Sequence, residues 1–78
     1  MDREGILETI LTVVAEKLEV EYDSLTDETT FEELEADSFD MLELISTLED
    51  EFELTFDDES LEAIATVRDA VEAIANAQ

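Results

Sequence analysis

Apolar residues recur with a helical period in several stretches of this chain. Between positions 3 and 18 they fall at i, i+3, i+4 and i+7, the spacing of a helix with one broad apolar face. The same spacing returns at about 38–53 and about 67–75, and a shorter apolar pattern lies at about 58–64. No stretch alternates apolar and polar residues as a strand does. The pattern therefore predicts four helices and no sheet.

The segment between the first two predicted helices, positions 19–36, has no sustained period. It is rich in Asp, Glu, Ser and Thr, and its apolar residues occur at irregular intervals: Val20, Tyr22, Leu25, Phe31 and Leu34. Loops of this length in compact domains are usually ordered by their own apolar anchors or are functional. Positions 1–78 are predicted to form one domain, an all-α four-helix bundle with a long first loop and a short third helix.

The second predicted helix has two different apolar surfaces. One face carries the stripe expected to enter the core, namely Met41, Leu44, Ile45, Leu48 and Phe52. The opposite face places Phe39 and Leu42 among carboxylates, where core packing does not account for them. Single exposed apolar residues are ordinary, but an apolar pair ringed by acids is typical of a surface that docks a basic partner with an apolar centre.

Charge is the strongest compositional signal. The chain has 25 acidic residues against three basic ones and a net charge of −22. Nucleic acid and anionic membranes are therefore poor partners, whereas basic protein surfaces would be attracted. Solubility alone is the other explanation of such acidity. Because copies of the chain repel one another, we expect a monomer.

The residue types that are missing exclude several kinds of chemistry. Without cysteine there is no disulfide, thiol nucleophile or zinc–thiolate site, and without histidine the commonest general base is absent. An EF-hand calcium loop needs a central glycine, and none follows Gly5, so we predict no metal site. No secretory signal opens the chain and no apolar run approaches the ~20 residues of a membrane span. We expect a soluble, cytoplasmic protein that is not an enzyme.

Ser38 is the candidate for chemistry. Asp37 is a good N-cap for the second helix, with Asp40 three residues further on. Ser38 would then lie at the positive end of the helix, where free N–H groups favour an anion such as a phosphate ester. Capping alone is the ordinary explanation of a serine at such a position.

The residues around Ser38 resemble a known motif. D-S-F-D-M-L-E-L, at positions 37–44, and the preceding F-E-E-L-E-A resemble the phosphopantetheine attachment segment of acyl carrier proteins, F-x-E-L-G-A-D-S-L-D-x-V-E-L. L-E-D-E-F at 48–52 and T-V-R-D-A-V at 66–71 are similar to the L-E-x-E-F and T-V-G-D-A-V of the same family. The resemblance covers essentially the whole chain.

This resemblance implies a function. Ser38 would receive 4′-phosphopantetheine from coenzyme A through a phosphopantetheinyl transferase, and the thiol of that arm would carry acyl groups as thioesters. Acyl transferases, ketosynthases and related enzymes of fatty acid or polyketide synthesis, with basic docking surfaces, would be the partners. Residues implied around the attachment point are Asp37, Phe39 and Asp40. Implied partner contacts are Leu42, Glu43, Ser46, Glu49 and Asp50. The candidate lining of an acyl pocket, equally explicable as core, is Leu48, Phe52, Leu61, Ile64 and Ala70.

Several residues depart from the family pattern. Glu35 and Arg68 replace glycines, Phe39 replaces leucine, Ser46 stands where an apolar residue is common, and Phe56 replaces an aliphatic residue. The proline that often follows the second helix is absent. Because of these changes the resemblance does not determine which enzymes are the partners, and the chain could serve a specialised pathway. A peptidyl or aryl carrier domain usually shows G-G-x-S and is less acidic, while an acidic interaction module that mimics nucleic acid would explain the charge without the serine motif.

Overall fold

Four α-helices form the protein in a computed structural model that describes residues 2–77. They are α1 (Arg3–Leu18), α2 (Ser38–Phe52), α3 (Asp58–Ala63) and α4 (Val67–Ala77), with a 3-10 turn at Tyr22–Ser24. The predicted all-α architecture is confirmed. The helices α2 and α3 each end one residue earlier than predicted, and α4 continues two residues further. None of the helices between residues 2 and 77 has the length and apolar character needed to cross a membrane.

Side-chain caps determine where the helices begin. Asp2 accepts a hydrogen bond from Gly5 N at the start of α1, at 2.8 Å, and Asp57 accepts one from Ser60 N at the start of α3, at 2.7 Å. The hydrogen bond from the Ser60 backbone N–H holds the pKa of the Asp57 carboxyl below its usual value. At the other end of α1 and α2, Glu19 and Glu53 adopt left-handed backbone angles, with φ of 54° and 53°, that terminate each helix.

The core lies where α1, α2 and α4 face one another. Its largest fully buried side chains come from these three helices: Ile6, Ile10, Val14, Leu44, Leu48, Val67 and Ile74. The predicted anchoring of the first loop is confirmed for Leu25 and Phe31, which are buried in the same cluster. Tyr22 was expected to anchor the loop as well, but 43% of its surface is exposed because it lies in the 3-10 turn outside the core.

The start of α4 binds the first loop through what we call the loop clasp, residues 27–30 with 66–68. Thr30 and Thr66 form an isolated antiparallel bridge, which creates no strand within residues 2–77. Two backbone N–H groups, those of Val67 and Arg68, donate to loop carbonyls at 3.0 and 2.8 Å. The Arg68 guanidinium also donates twice to Asp27 Oδ2, at 3.1 and 2.7 Å, which raises the pKa of Arg68. Sequence patterns did not predict this contact.

A capping box completes the junction between α3 and α4. Asp69 accepts hydrogen bonds from the backbone N–H groups of Ala65 and Thr66, each at 3.0 Å, while Asp69 N donates to the Thr66 hydroxyl at 3.1 Å. The two backbone donors hold the pKa of the Asp69 carboxyl below its usual value. The start of α4 is therefore fixed both to the preceding turn and to the first loop.

Candidate functional site

Ser38 is the first residue of α2 and is exposed. A reciprocal capping box fixes its place: Asp40 N donates to Asp37 Oδ1 at 2.9 Å, and Asp37 N donates to Asp40 Oδ2 at 3.5 Å. The predicted cap is thus confirmed. It places an accessible hydroxyl at the positive end of a fifteen-residue helix.

The approach to Ser38 contains a strained residue. Glu35 has φ of 58°, which is the left-handed region that favours glycine. A tight turn produces this geometry, with Glu35 N bonded to Glu32 O at 3.0 Å and Ala36 N bonded to Phe31 O at 3.2 Å. The turn directs the chain into the Asp37 cap. The motif that these residues resemble has glycine at position 35, and glycine adopts a positive φ without strain. Glutamate at this position adds backbone strain as well as charge.

An apolar groove adjoins Ser38, between the start of α2 and α3. We call it the Ser38 groove; its volume is about 450 Å³ and it is lined by Ala36, Asp37, Ser38, Met41, Leu42, Ile45 and Leu61. The residues that belong to α2 lie three, four and seven positions after Ser38, so they share its side of the helix. A group attached to the serine would therefore have an apolar surface next to it.

The residues predicted to line an acyl pocket do not share one open space. Only Leu61 lines the Ser38 groove. Leu48 and Ala70 are fully buried in the core, and Phe52 and Ile64 pack against it in partly buried positions. Their role as a lining stays a prediction.

Three residues of the groove were not predicted from the sequence, namely Ala36, Met41 and Ile45. Met41 and Ile45 follow the same period as the core stripe of α2 and were therefore assigned to the core, yet both line the groove and are only half-buried. Their spacing from Ser38, three and seven residues, is the signal that could have identified them.

The outward face of α2 is the second feature of the site. Phe39 and Leu42 are 66% and 69% exposed. Beside them the side chains of Glu43, Ser46 and Asp50 are exposed, as expected of residues that contact a partner. We call these five residues together with Glu49 the docking face. Its charged groups are all carboxylates, so its field would attract basic surfaces.

Glu49 departs from the simple outward orientation expected for a partner contact. It is half-buried, and its Oε2 accepts a hydrogen bond from Phe56 N at 2.9 Å. Asp40, which was expected beside the attachment point, is likewise engaged in the capping box and half-buried. Asp40 therefore holds the backbone at the start of α2, and Glu49 holds the chain that follows its end.

Known proteins resemble this chain over its whole length. The family model described as "Phosphopantetheine attachment site" matches residues 8–74. An acyl carrier protein of Rubrobacter xylanophilus is 44% identical over 79 residues, covering 100% of this chain and 98% of that protein.

Solved structures give the same picture. The acyl carrier protein of Enterococcus faecalis superposes with a TM-score of 0.83 at 34% identity and full coverage of both chains. The acyl carrier protein of Thermotoga maritima superposes with a TM-score of 0.82 at 30% identity, covering 99% of this chain and 91% of that chain.

Proposed function

Because the chain belongs to the phosphopantetheine-binding acyl carrier protein family, we propose that Ser38 is the residue that bears its 4′-phosphopantetheine arm. The observation that carries this assignment is an exposed hydroxyl at the capped start of α2. A helix N-terminus offers free N–H groups and a positive potential to a phosphate ester. Asp37 and Asp40 contribute by fixing the first turn and so the position of the hydroxyl.

The residues around Ser38 fit this prosthetic group. The serine provides the alcohol, the first turn of α2 suits the phosphate, and the Ser38 groove provides an apolar surface. When bound, the group supplies a thiol that carries acyl chains as thioesters. The protein itself is a carrier and not an enzyme, in agreement with a chain that lacks cysteine and histidine.

The docking face supports a proposal about partners. We propose that it binds the basic surfaces of a phosphopantetheinyl transferase and of acyl transferases, ketosynthases and related enzymes. Phe39 and Leu42 provide an exposed apolar centre, and the surrounding carboxylates provide long-range attraction. A carrier must leave each enzyme after binding it, and charge steering with a small contact area favours such brief encounters.

The pathway is proposed at the level of acyl chemistry. The apolar Ser38 groove supports an acyl cargo in fatty acid or polyketide synthesis. We propose a cytoplasmic carrier that is a monomer, because a net charge of −22 makes copies repel one another. Phe39 and Ser46 are the positions on the docking face that depart from the family pattern. They are where the choice of partners would differ from that of a general fatty acid carrier.

Mass spectrometry tests the attachment. Incubation with coenzyme A and a broad-specificity phosphopantetheinyl transferase should add one phosphopantetheine, ~340 Da. Ser38→Ala should abolish the gain, and Ser24→Ala, which changes an exposed serine of the first loop away from the docking face, should retain it. No gain from a transferase that modifies a control carrier would contradict the proposal and favour an acidic interaction module.

A further inference from the structure

Glu49 belongs to the docking face, yet its carboxylate is bonded to the chain that follows α2. The Oε2 atom accepts from Phe56 N across seven residues, in a part-buried position. Phe56 is only 7% exposed and belongs to the core cluster. The hydrogen bond therefore ties the last part of α2 to the end of the connecting segment 53–57.

This bond fixes the start of α3. Phe56 directly precedes Asp57, the N-cap of α3, so whatever holds the Phe56 backbone also places the cap. The helix has six residues and buries none of them, which gives it little packing of its own. Through Leu61, α3 forms one wall of the Ser38 groove. The bond at Glu49 and the buried Phe56 side chain together hold the segment that leads into that wall.

The Glu49 carboxylate also remains within reach of an outside cation. Together with Asp50 and Glu53 it lines an open surface cleft. The two arginines that form ion pairs within residues 2–77, Arg3 and Arg68, pair with Glu72 and Asp27 on α4 and the first loop. A lysine or arginine of a docked enzyme would offer Glu49 a bond in which both partners are charged, whereas the Phe56 N–H is a neutral donor.

We propose that Glu49 is a positioning residue that couples docking to the wall of the Ser38 groove. A basic side chain of the partner enzyme draws the carboxylate outward, Phe56 N loses its acceptor, and the start of α3 loosens, which releases Leu61 on the wall of the Ser38 groove. The docking part of this inference rests on the proposed function. The bond that holds α3 does not, because it operates in the free protein.

Amide hydrogen exchange of the free protein tests the bond. Glu49→Ala should speed exchange at Phe56 and in α3 roughly tenfold, since a hydrogen bond to a charged acceptor is lost. Asp50→Ala is the matched control, because it removes the same charge from the neighbouring residue and should leave exchange unchanged. No acceleration in Glu49→Ala, or an equal acceleration in Asp50→Ala, would overturn the proposal.

Exchange in the presence of the transferase, without coenzyme A, tests the coupling. Wild-type protein should exchange faster at Phe56 once the transferase binds. Glu49→Gln keeps an acceptor oxygen and should protect Phe56 in the free protein. A neutral amide cannot form an ion pair with the partner's cation, so binding should accelerate exchange at Phe56 much less than in wild type. An equal increase of the Phe56 exchange rate in wild type and in Glu49→Gln would mean that Glu49 has a purely structural role, and would overturn the coupling.

The two proposals fail separately. Wild-type protein that gains mass at Ser38 but shows no change at Phe56 on docking contradicts the coupling and leaves the carrier function intact. Protein that never gains mass contradicts the carrier function, while the free-protein comparison of Glu49→Ala with Asp50→Ala still decides whether Glu49 holds α3.

Discussion

The side of the bundle built from α1 and α4 differs from the side built from the start of α2 and α3. We call them the closed side and the open side. On the closed side, α1 buries five residues and α4 buries four: Ile6, Ile10, Leu11, Val13 and Val14, with Val67, Ala70, Val71 and Ile74. On the open side, α3 buries none, and Phe39 and Leu42 are largely exposed. Similar apolar residues thus have opposite environments.

Ion pairing follows the same division. Arg3 pairs with Glu72 between α1 and α4, and Arg68 pairs with Asp27 in the loop clasp. The helix α2 contains no basic residue. The closed side therefore combines burial with charge neutralisation, while the open side combines exposed apolar groups with unneutralised carboxylates. The burial that stabilises the fold therefore lies mainly on the closed side, while the proposed partner contacts lie on the open side.

The largest expected effect is on the free energy of unfolding, when one apolar residue from each side is truncated. Ile10→Ala, on the closed side, removes a fully buried side chain and should lower the free energy of unfolding by roughly 2–5 kcal/mol. Leu42→Ala, on the open side, should change it by less than about 0.5 kcal/mol. Urea unfolding followed by circular dichroism measures both. A comparable loss in Leu42→Ala would mean that the open side belongs to the folding core.

The rate of phosphopantetheine transfer should be sensitive to apolar residues of the open side. Phe39→Ala should lower kcat/KM for phosphopantetheine transfer about tenfold, since an exposed aromatic residue at the centre of an interface is typical of a binding hot spot. Tyr22→Ala, which truncates an exposed aromatic residue of the first loop, should leave kcat/KM unchanged. Equal effects of the two substitutions would remove the distinction between the docking face and the rest of the surface.

A smaller effect is expected at Glu35, where the chain enters the open side. Glu35→Gly should raise the free energy of unfolding by roughly 0.5–1 kcal/mol, because relief of left-handed strain exceeds the added entropy of the unfolded chain. Glu32→Gly removes the same charge from the same turn at a residue without positive φ, and should be neutral or destabilising. Thermal unfolding of both variants distinguishes backbone strain from charge repulsion.

The smallest effect concerns pH and the two capping carboxylates. The folded-state pKa of Asp69 lies below the usual 3.8, so its contribution to stability is present at neutral pH and is lost as the pH falls below that value. Asp69→Ala should therefore lower the free energy of unfolding at pH 7, and the difference from wild type should narrow at pH 3. Urea titrations at the two pH values measure this.

Asp57→Ala serves as the control from the open side. It removes the N-cap of α3, but α3 buries no residue, so global unfolding should remain close to wild type. A loss equal to that of Asp69→Ala would show that α3 contributes to the cooperative core, and would contradict the difference between the closed side and the open side.

Sequence periodicity predicted the helices and the exposure of Phe39 and Leu42, since local spacing determines which face of a helix a residue occupies. It did not separate Met41 and Ile45 from the core, because a groove wall and a core stripe have the same period. The Arg68–Asp27 contact and the bond from Phe56 to Glu49 join residues distant in sequence or in different elements, and no local pattern reports them. The positive φ of Glu35 was indicated only by comparison with a family glycine.

The loop clasp also divides the first loop into two segments with different tolerance to insertion. Between the end of α1 and the buried Leu25 the chain forms an arc whose positions 21–24 are exposed, and extra residues there would add little closure entropy, ~0.6 kcal/mol per doubling of length. After Phe31 only positions 32–36 remain before the Asp37 cap, so a residue inserted there would displace Ser38. A reporter or affinity tag can therefore be inserted at positions 21–24, provided that positions 32–36 keep their length.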